Sequence, residues 1–253
     1  MHLSRPVSTL SIFALAGLLV LASLPVAAEE AEPATEEPPW SVSLGLSYLA
    51  TSGNSDTETA GLAFEAERTP DPWGMTVKAN FDRAEENDNL TAERYLLGIR
   101  GTRTLGERWD AFVGVSAEQD EFSGIDLRTL IEAGGVYHAL TGPTHVLDVD
   151  LGLTWTDEDR LAPAPDVDSI GALAGLTYTW AISETASFSQ RLIVYPNFDE
   201  SDDWRLESDT AITTSLNERF ALQFGYSLRH RNLPIGTNDD TDTTTKVSLV
   251  WTR

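Results

Sequence analysis

From Trp40 onward the chain alternates apolar and polar residues in runs of ten or more, separated by turn-forming clusters. In the stretch after Arg219, Phe220, Leu222, Phe224, Tyr226 and Leu228 are apolar. The residues between them, Ala221, Gln223, Gly225, Ser227 and Arg229, are small or polar. Period two is the signature of a strand with one greasy and one wet face. A turn-rich segment, Leu233 to Asp240, joins this run to a β-branched one that ends at Trp251. The first run, Trp40 to Thr51, sets Val42, Leu44, Leu46 and Tyr48 against Ser41, Ser43, Gly45 and Ser47. Further runs are expected at 57–69, from Trp73, and near 91–105, 108–120, 126–140, 144–157, 169–182, 185–197, 203–217, 219–231 and 241–252. That makes about twelve strands. The ninth is the least regular, because Gln190 falls on its apolar row. Each run is long enough for a tilted strand to cross a bilayer, roughly 9–11 residues, and longer than the roughly 5–6 residues usual in soluble sheets.

Alternation does not say which face is outside. A soluble, ligand-carrying barrel has its greasy face inward. Three features favour the opposite arrangement. The connections alternate between short (69–72, 105–107, 141–143, 182–184, 217–218) and mostly longer, acidic ones (84–90, 120–126, 157–168, 197–203, 233–240), as expected of short periplasmic turns and long external loops. Trp40, Trp73, Trp109, Trp180 and Trp251 fall at the short-turn ends of their strands, the pattern of an aromatic girdle at a membrane interface. The wet face carries mid-strand charges of both signs, Lys78, Glu118, Arg128, Glu132, Asp148, Arg191, Arg205 and Arg229, too many for an apolar ligand cavity. The expectation is an all-β fold, a transmembrane antiparallel β-barrel spanning 40–253 with these charges lining its lumen.

Composition narrows the picture. The net charge of -23 argues against nucleic acid as a partner. Cysteine is absent, so there is no disulfide framework, thiol nucleophile or Cys-ligated metal. Residues 1–28 read as a cleaved signal peptide: Arg5, an apolar run from Leu10 to Leu24, and Val26-Ala27-Ala28 before Glu29. Residues 29–39, acidic and proline-rich, read as a flexible lead-in. The expected location is the outer membrane of a Gram-negative cell, in contact with the lipid bilayer and lipopolysaccharide.

Leu44-Gly45-Leu46-Ser47-Tyr48 followed by Gly53-Asn54-Ser55-Asp56-Thr57, the mid-chain Glu93-Arg94-Tyr95, and the tail from Thr241 to Trp251 together resemble the salt-induced outer-membrane protein family, also called YdiY-like. The resemblance spans about Trp40 to Arg253. It implies an outer-membrane β-barrel linked by name to salt or acid stress, and it carries over no catalytic residue. It also implies recognition by the outer-membrane assembly machinery, which reads a terminal aromatic. Here Trp251 lies two positions inside Arg253.

No catalytic, cofactor or metal residue is expected. His230, with Asp239, Asp240 and Asp242 across the hairpin, is the one place where an Asp–His pair at the rim could serve a hydrolase. The acidic segments 157–168 and 199–203 offer hard oxygen donors without EF-hand spacing; they read as solvated loops, or as loops joined to lipopolysaccharide through shared divalent cations. Three functions stay open: a non-enzymatic stress-associated barrel with a narrow, charge-lined channel; an outer-membrane hydrolase with a rim site; and a secreted soluble ligand-binding barrel.

Overall fold

A computed structural model of the chain describes residues 40–51 and 57–253. Residues 1–28, 29–39 and 52–56, where a signal peptide, a lead-in and a turn are expected, lie outside the described residues. Twelve strands follow one another: β1 (Trp40–Thr51), β2 (Thr57–Arg68), β3 (Trp73–Glu86), β4 (Asn89–Gly106), β5 (Trp109–Asp120) and β6 (Ile125–Thr141). Then come β7 (His145–Arg160), β8 (Val167–Ala181), β9 (Ala186–Tyr195), β10 (Arg205–Ser215), β11 (Phe220–Arg231) and β12 (Thr241–Thr252). Each is antiparallel to its sequence neighbour, and β12 closes onto β1 to complete a barrel. At the closure Ser43 pairs with Thr252 and Ser47 with Ser248, and Val42 exchanges backbone hydrogen bonds of 2.9 Å with Arg253.

Period two assigns the faces as expected. The apolar rows point out: Leu151 and Leu153 are 59% and 63% exposed. This is the reverse of a soluble ligand-carrying barrel. Gln190, the irregular residue of β9, does face outward. Its amide reaches Ser208 Oγ at 3.0 Å and accepts from Thr210 Oγ1 at 2.6 Å, so the polar group is satisfied within the wall.

Two expected loops are corrected. The 84–90 segment is not a loop: β3 runs to Glu86, β4 starts at Asn89, and Asn87 and Asp88 alone turn the chain with φ of 50° and 62°. The 157–168 segment shrinks to 161–166, because Asp157 and Glu158 continue the ladder opposite Asp168 and Val167. The physical reason is common to both. Above the apolar belt the outward positions are also polar (Arg83, Glu93, Asp157, Asp159), so alternation fades although backbone pairing continues. The longer connections that remain at this end are 161–166, 196–204 and 232–240.

The interior is filled unevenly. Phe112 on β5 reaches over the backbones of β6 and β7, where Gly134 and Gly152 face the tip of its ring. A Cβ on Gly134 would sit 2.2 Å from the Leu151 carbonyl and 2.8 Å from the Phe112 ring; one on Gly152 would sit 2.7 Å from the Ala133 carbonyl. Leu130, Leu173, Ile193 and Tyr195 complete this inner cluster. The walls of β1, β2, β11 and β12 instead present small residues inward, among them Ser43, Ser47, Ala63, Ser227 and Ser248.

Gly134→Ala is expected to destabilise the folded barrel by about 1–3 kcal/mol through overpacking. Urea unfolding in detergent, followed by the fluorescence of the tryptophans, measures this. Ala63→Ser on the open wall, by contrast, should fall within about 0.5 kcal/mol of the parent.

Candidate functional site

The candidate site is the lumen, and its wall is a network of ion pairs. Arg94 Nε on β4 donates to Glu118 on β5 at 2.6 Å; Glu118 also accepts from Arg128 Nη1 on β6 at 3.1 Å. Arg128 Nε then donates to Glu158 on β7 at 2.7 Å. Glu158 further accepts from Arg160 at 2.6 Å and from Arg231 at 2.9 Å. Arg231 belongs to β11, so this last pair bridges the lumen over three intervening strands. Arg231 also holds Asp203 at 3.1 Å. A second bridge joins Lys246 on β12 to Asp82 on β3. Lower down, Arg100 pairs with Glu132 at 3.4 Å and Asp150 at 3.6 Å and stacks on the Phe112 ring at 3.5 Å.

Every lumen charge named from the sequence lies on an inward row. Lys78 pairs with Glu65 at 3.3 Å, and Arg229 approaches Asp209 at 4.0 Å. Asp148 meets His138 Nδ1 at 2.7 Å, while Asp110 meets the same ring's Nε2 at 3.2 Å. Arg191 and Arg205 line the central cavity with no ion pair among the described residues. Sequence reading missed Glu158, Arg160, Arg231 and Asp203, which form the hub, and Asp110, Glu207, Asp82 and Lys246. The signal for Glu158 was present: it shares the parity of Asp148 and Asp150. Its acidic neighbours had placed it in a loop.

Solvent access separates two halves. The side chains of Glu158 and Arg128 are 4% and 8% exposed. Those of Lys78 and Glu65 are 37% and 40% exposed, and those of Arg229 and Asp209 31% and 38%. These four side chains on the β2–β3 and β10–β11 walls face water more than the hub does, so the aqueous part of the lumen is displaced toward those walls. A central cavity of about 250 Å³ lies between β2–β6 and β9–β10. Above it a vestibule of about 710 Å³ opens at the long-loop end.

The 232–240 connection reaches over that vestibule. Ile235 is buried, and its Cγ2 lies 3.0 Å from where a Cβ on Gly124 would sit, in the β5–β6 turn on the far side of the ring. Gly124 holds φ of +82°, a conformation that favours glycine.

The five tryptophans sit at the short-turn ends: Trp40, Trp73 and Trp109 open their strands, and Trp180 and Trp251 stand next to last in theirs. His230 faces outward. Its Nδ1 meets Thr241 Oγ1 at 2.8 Å and its ring packs against Trp204 at 4.9 Å, so among the described residues it makes no direct pair with Asp239, Asp240 or Asp242, the pairing weighed for a rim hydrolase. Among the described residues no His, Asp and Glu group is arranged to hold a metal ion.

The pattern of one family covers residues 44–252. The chain belongs to that family, described as "Protein of unknown function, DUF481". A relative within reach is "Uncharacterized protein YdiY" of Escherichia coli (strain K12), 27% identical over 241 residues, covering 91% of this chain and 92% of that protein. Of solved structures, an outer membrane channel from Pseudomonas putida F1 is similar with a TM-score of 0.51 and 12% identity, over 88% of this chain and 99% of that one. The NanC porin follows at a TM-score of 0.49 and 11% identity, over 83% and 97%. At these identities the likeness to the channel is one of fold, a closed β-barrel.

Glu158 lies above the apolar belt. Burial alone would raise its pKa, but Arg128 and Arg231 outweigh burial and hold it down at about 2, from an ordinary 4.5. A depressed carboxylate stabilises the fold above its unfolded pKa and loses that contribution as pH falls through the folded one. Glu158→Gln is therefore expected to cost about 3–5 kcal/mol at neutral pH, because it leaves buried arginines unpaired. The difference from the parent should shrink as pH falls from 4.5 toward about 2. Urea midpoints at several pH values measure both.

Proposed function

We propose that the protein is a non-enzymatic β-barrel of the Gram-negative outer membrane with a narrow, charge-lined channel. The observation that carries this reading is the pairing of a continuous outward apolar belt with an inward charged wall part of which faces water. A sheet in lipid must satisfy all its backbone polar groups internally, which a closed barrel does. Long acidic connections at one end suit the external side, where divalent cations could join them to lipopolysaccharide; the short turns and tryptophans suit the periplasmic interface. Trp251, next to last in β12, is the residue the assembly machinery would read.

Twelve strands lie between the roughly eight that side chains can fill and the roughly sixteen that leave an open pore. The Arg231–Glu158 bridge and the packed Phe112 cluster take up one side, so the passage runs along the other. A role in salt or acid stress is part of the proposal. Its support is the resemblance of residues 40–253 to a family linked by name to salt or acid stress, together with a lumen braced by the Arg94–Glu118–Arg128–Glu158 pairs.

Refolded protein in a planar bilayer is expected to give small, discrete conductance steps that change when Lys78 or Arg229 is neutralised, since both face lumen water. A silent bilayer with correctly folded, heat-modifiable protein would overturn the channel. Ile235→Ser should weaken the loop's hold on Gly124 and raise the open fraction or conductance of each step. Leu151→Arg, on the outer face, is expected to cost about 2–4 kcal/mol if that position sits near the bilayer midplane, read from unfolding in lipid vesicles.

A further inference from the structure

Among the described residues, the central cavity has one wall whose polar side chains make no hydrogen bond or ion pair with the rest of the network. Arg191 and Tyr195 on β9, and Arg205 and Glu207 on β10, all line it. Among the described residues, none of these four side chains makes a hydrogen bond or an ion pair. The one contact between them is the Arg205 guanidinium over the Tyr195 ring, 5.0 Å from its centroid. On the facing wall the basic groups are already engaged: Lys78 by Glu65, Arg128 by Glu118 and Glu158, Arg100 by Glu132 and Asp150. The contrast is informative because a half-buried guanidinium that makes no direct hydrogen bond or ion pair is costly, and the surrounding network supplies such pairs to most of its other arginines.

Register sets the spacing of the group. Arg205 pairs with Tyr195, Glu207 with Ile193, and Asp209 with Arg191. The two arginines are therefore four residues apart along the sheet, about 13 Å at a rise of roughly 3.3 Å per residue, and the Glu207 carboxylate stands between them. Long guanidinium arms can close much of that distance toward one solute. Two fork-shaped donors suit an oxyanion. A carboxylate acceptor and a phenolic hydroxyl between them suit hydroxyl groups. The cavity, about 250 Å³, lies at the small end of ligand pockets, roughly 300–1,000 Å³, which suits a monomeric solute.

We propose that this wall is a binding site for a small hydroxylated carboxylate within the lumen, with Arg191 and Arg205 taking the carboxylate and Glu207 and Tyr195 taking hydroxyls. The inference deepens the channel reading and rests on it for the route by which the solute arrives. The four residues are then specificity-determining: they favour hydroxy-acids over simple cations in a protein whose overall charge is strongly negative.

The test uses gluconate as probe and the refolded barrel in detergent, with binding read by titration calorimetry and folding by heat-modifiable mobility. Saturable binding is expected, weakening as salt is raised. The Arg191→Gln, Arg205→Gln double variant should bind at least about tenfold more weakly, the loss of one charge-assisted contact or more. Arg205→Lys, which keeps the charge, should lose less. Either single Arg→Gln variant serves if the double variant does not fold. Absence of saturable binding, or binding unchanged in the variants, overturns the site. The bilayer separates the two readings. A conducting barrel that binds no gluconate removes the site and leaves the channel. A silent barrel whose gluconate binding depends on the two arginines leaves the site and removes the channel. Gluconate block of the wild-type current that the double variant escapes supports both.

Discussion

The structure depends on the obligation of every backbone N–H and C=O in the wall to find a partner within the wall. In hydrocarbon an unpaired peptide group costs several kcal/mol, so an open edge on a sheet of this length would be untenable. The β1–β12 seam discharges that obligation, down to the Val42–Arg253 hydrogen bonds. Closure then imposes the remaining features. It gives the sheet an inside and an outside, and period two sorts the residues between them. It also creates an interior that twelve strands do not fill by themselves.

The interior is occupied by two different means. On one side large side chains lie over bare backbone, Phe112 above Gly134 and Gly152, with the Arg100 guanidinium stacked on the ring. On the other, small residues leave room for water. Between them the pairs run from Arg94 through Glu118, Arg128 and Glu158 to Arg231 and Asp203. These charges are partly desolvated, and such pairs hold a geometry more than they add net stability. A braced lumen of this kind resists collapse without being full. The loop carrying Ile235 adds a cover at one mouth.

Much of the fold was legible because lipid and water impose a strict alternation. The limits of β1, β5, β11 and β12 follow from the sequence to within a residue. Even Gln190, which breaks the pattern, is on the row the pattern gives it, with Ser208 and Thr210 resolving the conflict. Legibility fails where the environment stops alternating. Above the belt both faces meet water, so Glu85, Glu86, Asp157 and Glu158 look like loop residues although they extend the ladder. The lumen charges are legible as a set, since parity alone places Lys78, Glu118, Arg191 and Arg205 inward. Their partners are not.

The sequence by itself determined the class of fold, the number of strands, and which side chains face in, because these depend on local periodicity and turn chemistry. Only the tertiary structure decided who pairs with whom across the lumen. Glu158 and Arg231 are far apart in the chain and four strands apart in the wall; they meet because closure and strand stagger bring them to one height. Among the described residues, the same geometry leaves Arg191, Arg205 and Glu207 without a hydrogen bond or ion pair. No local pattern records it, because a period-two rule gives a residue's face and says nothing of what stands opposite it across an enclosed space.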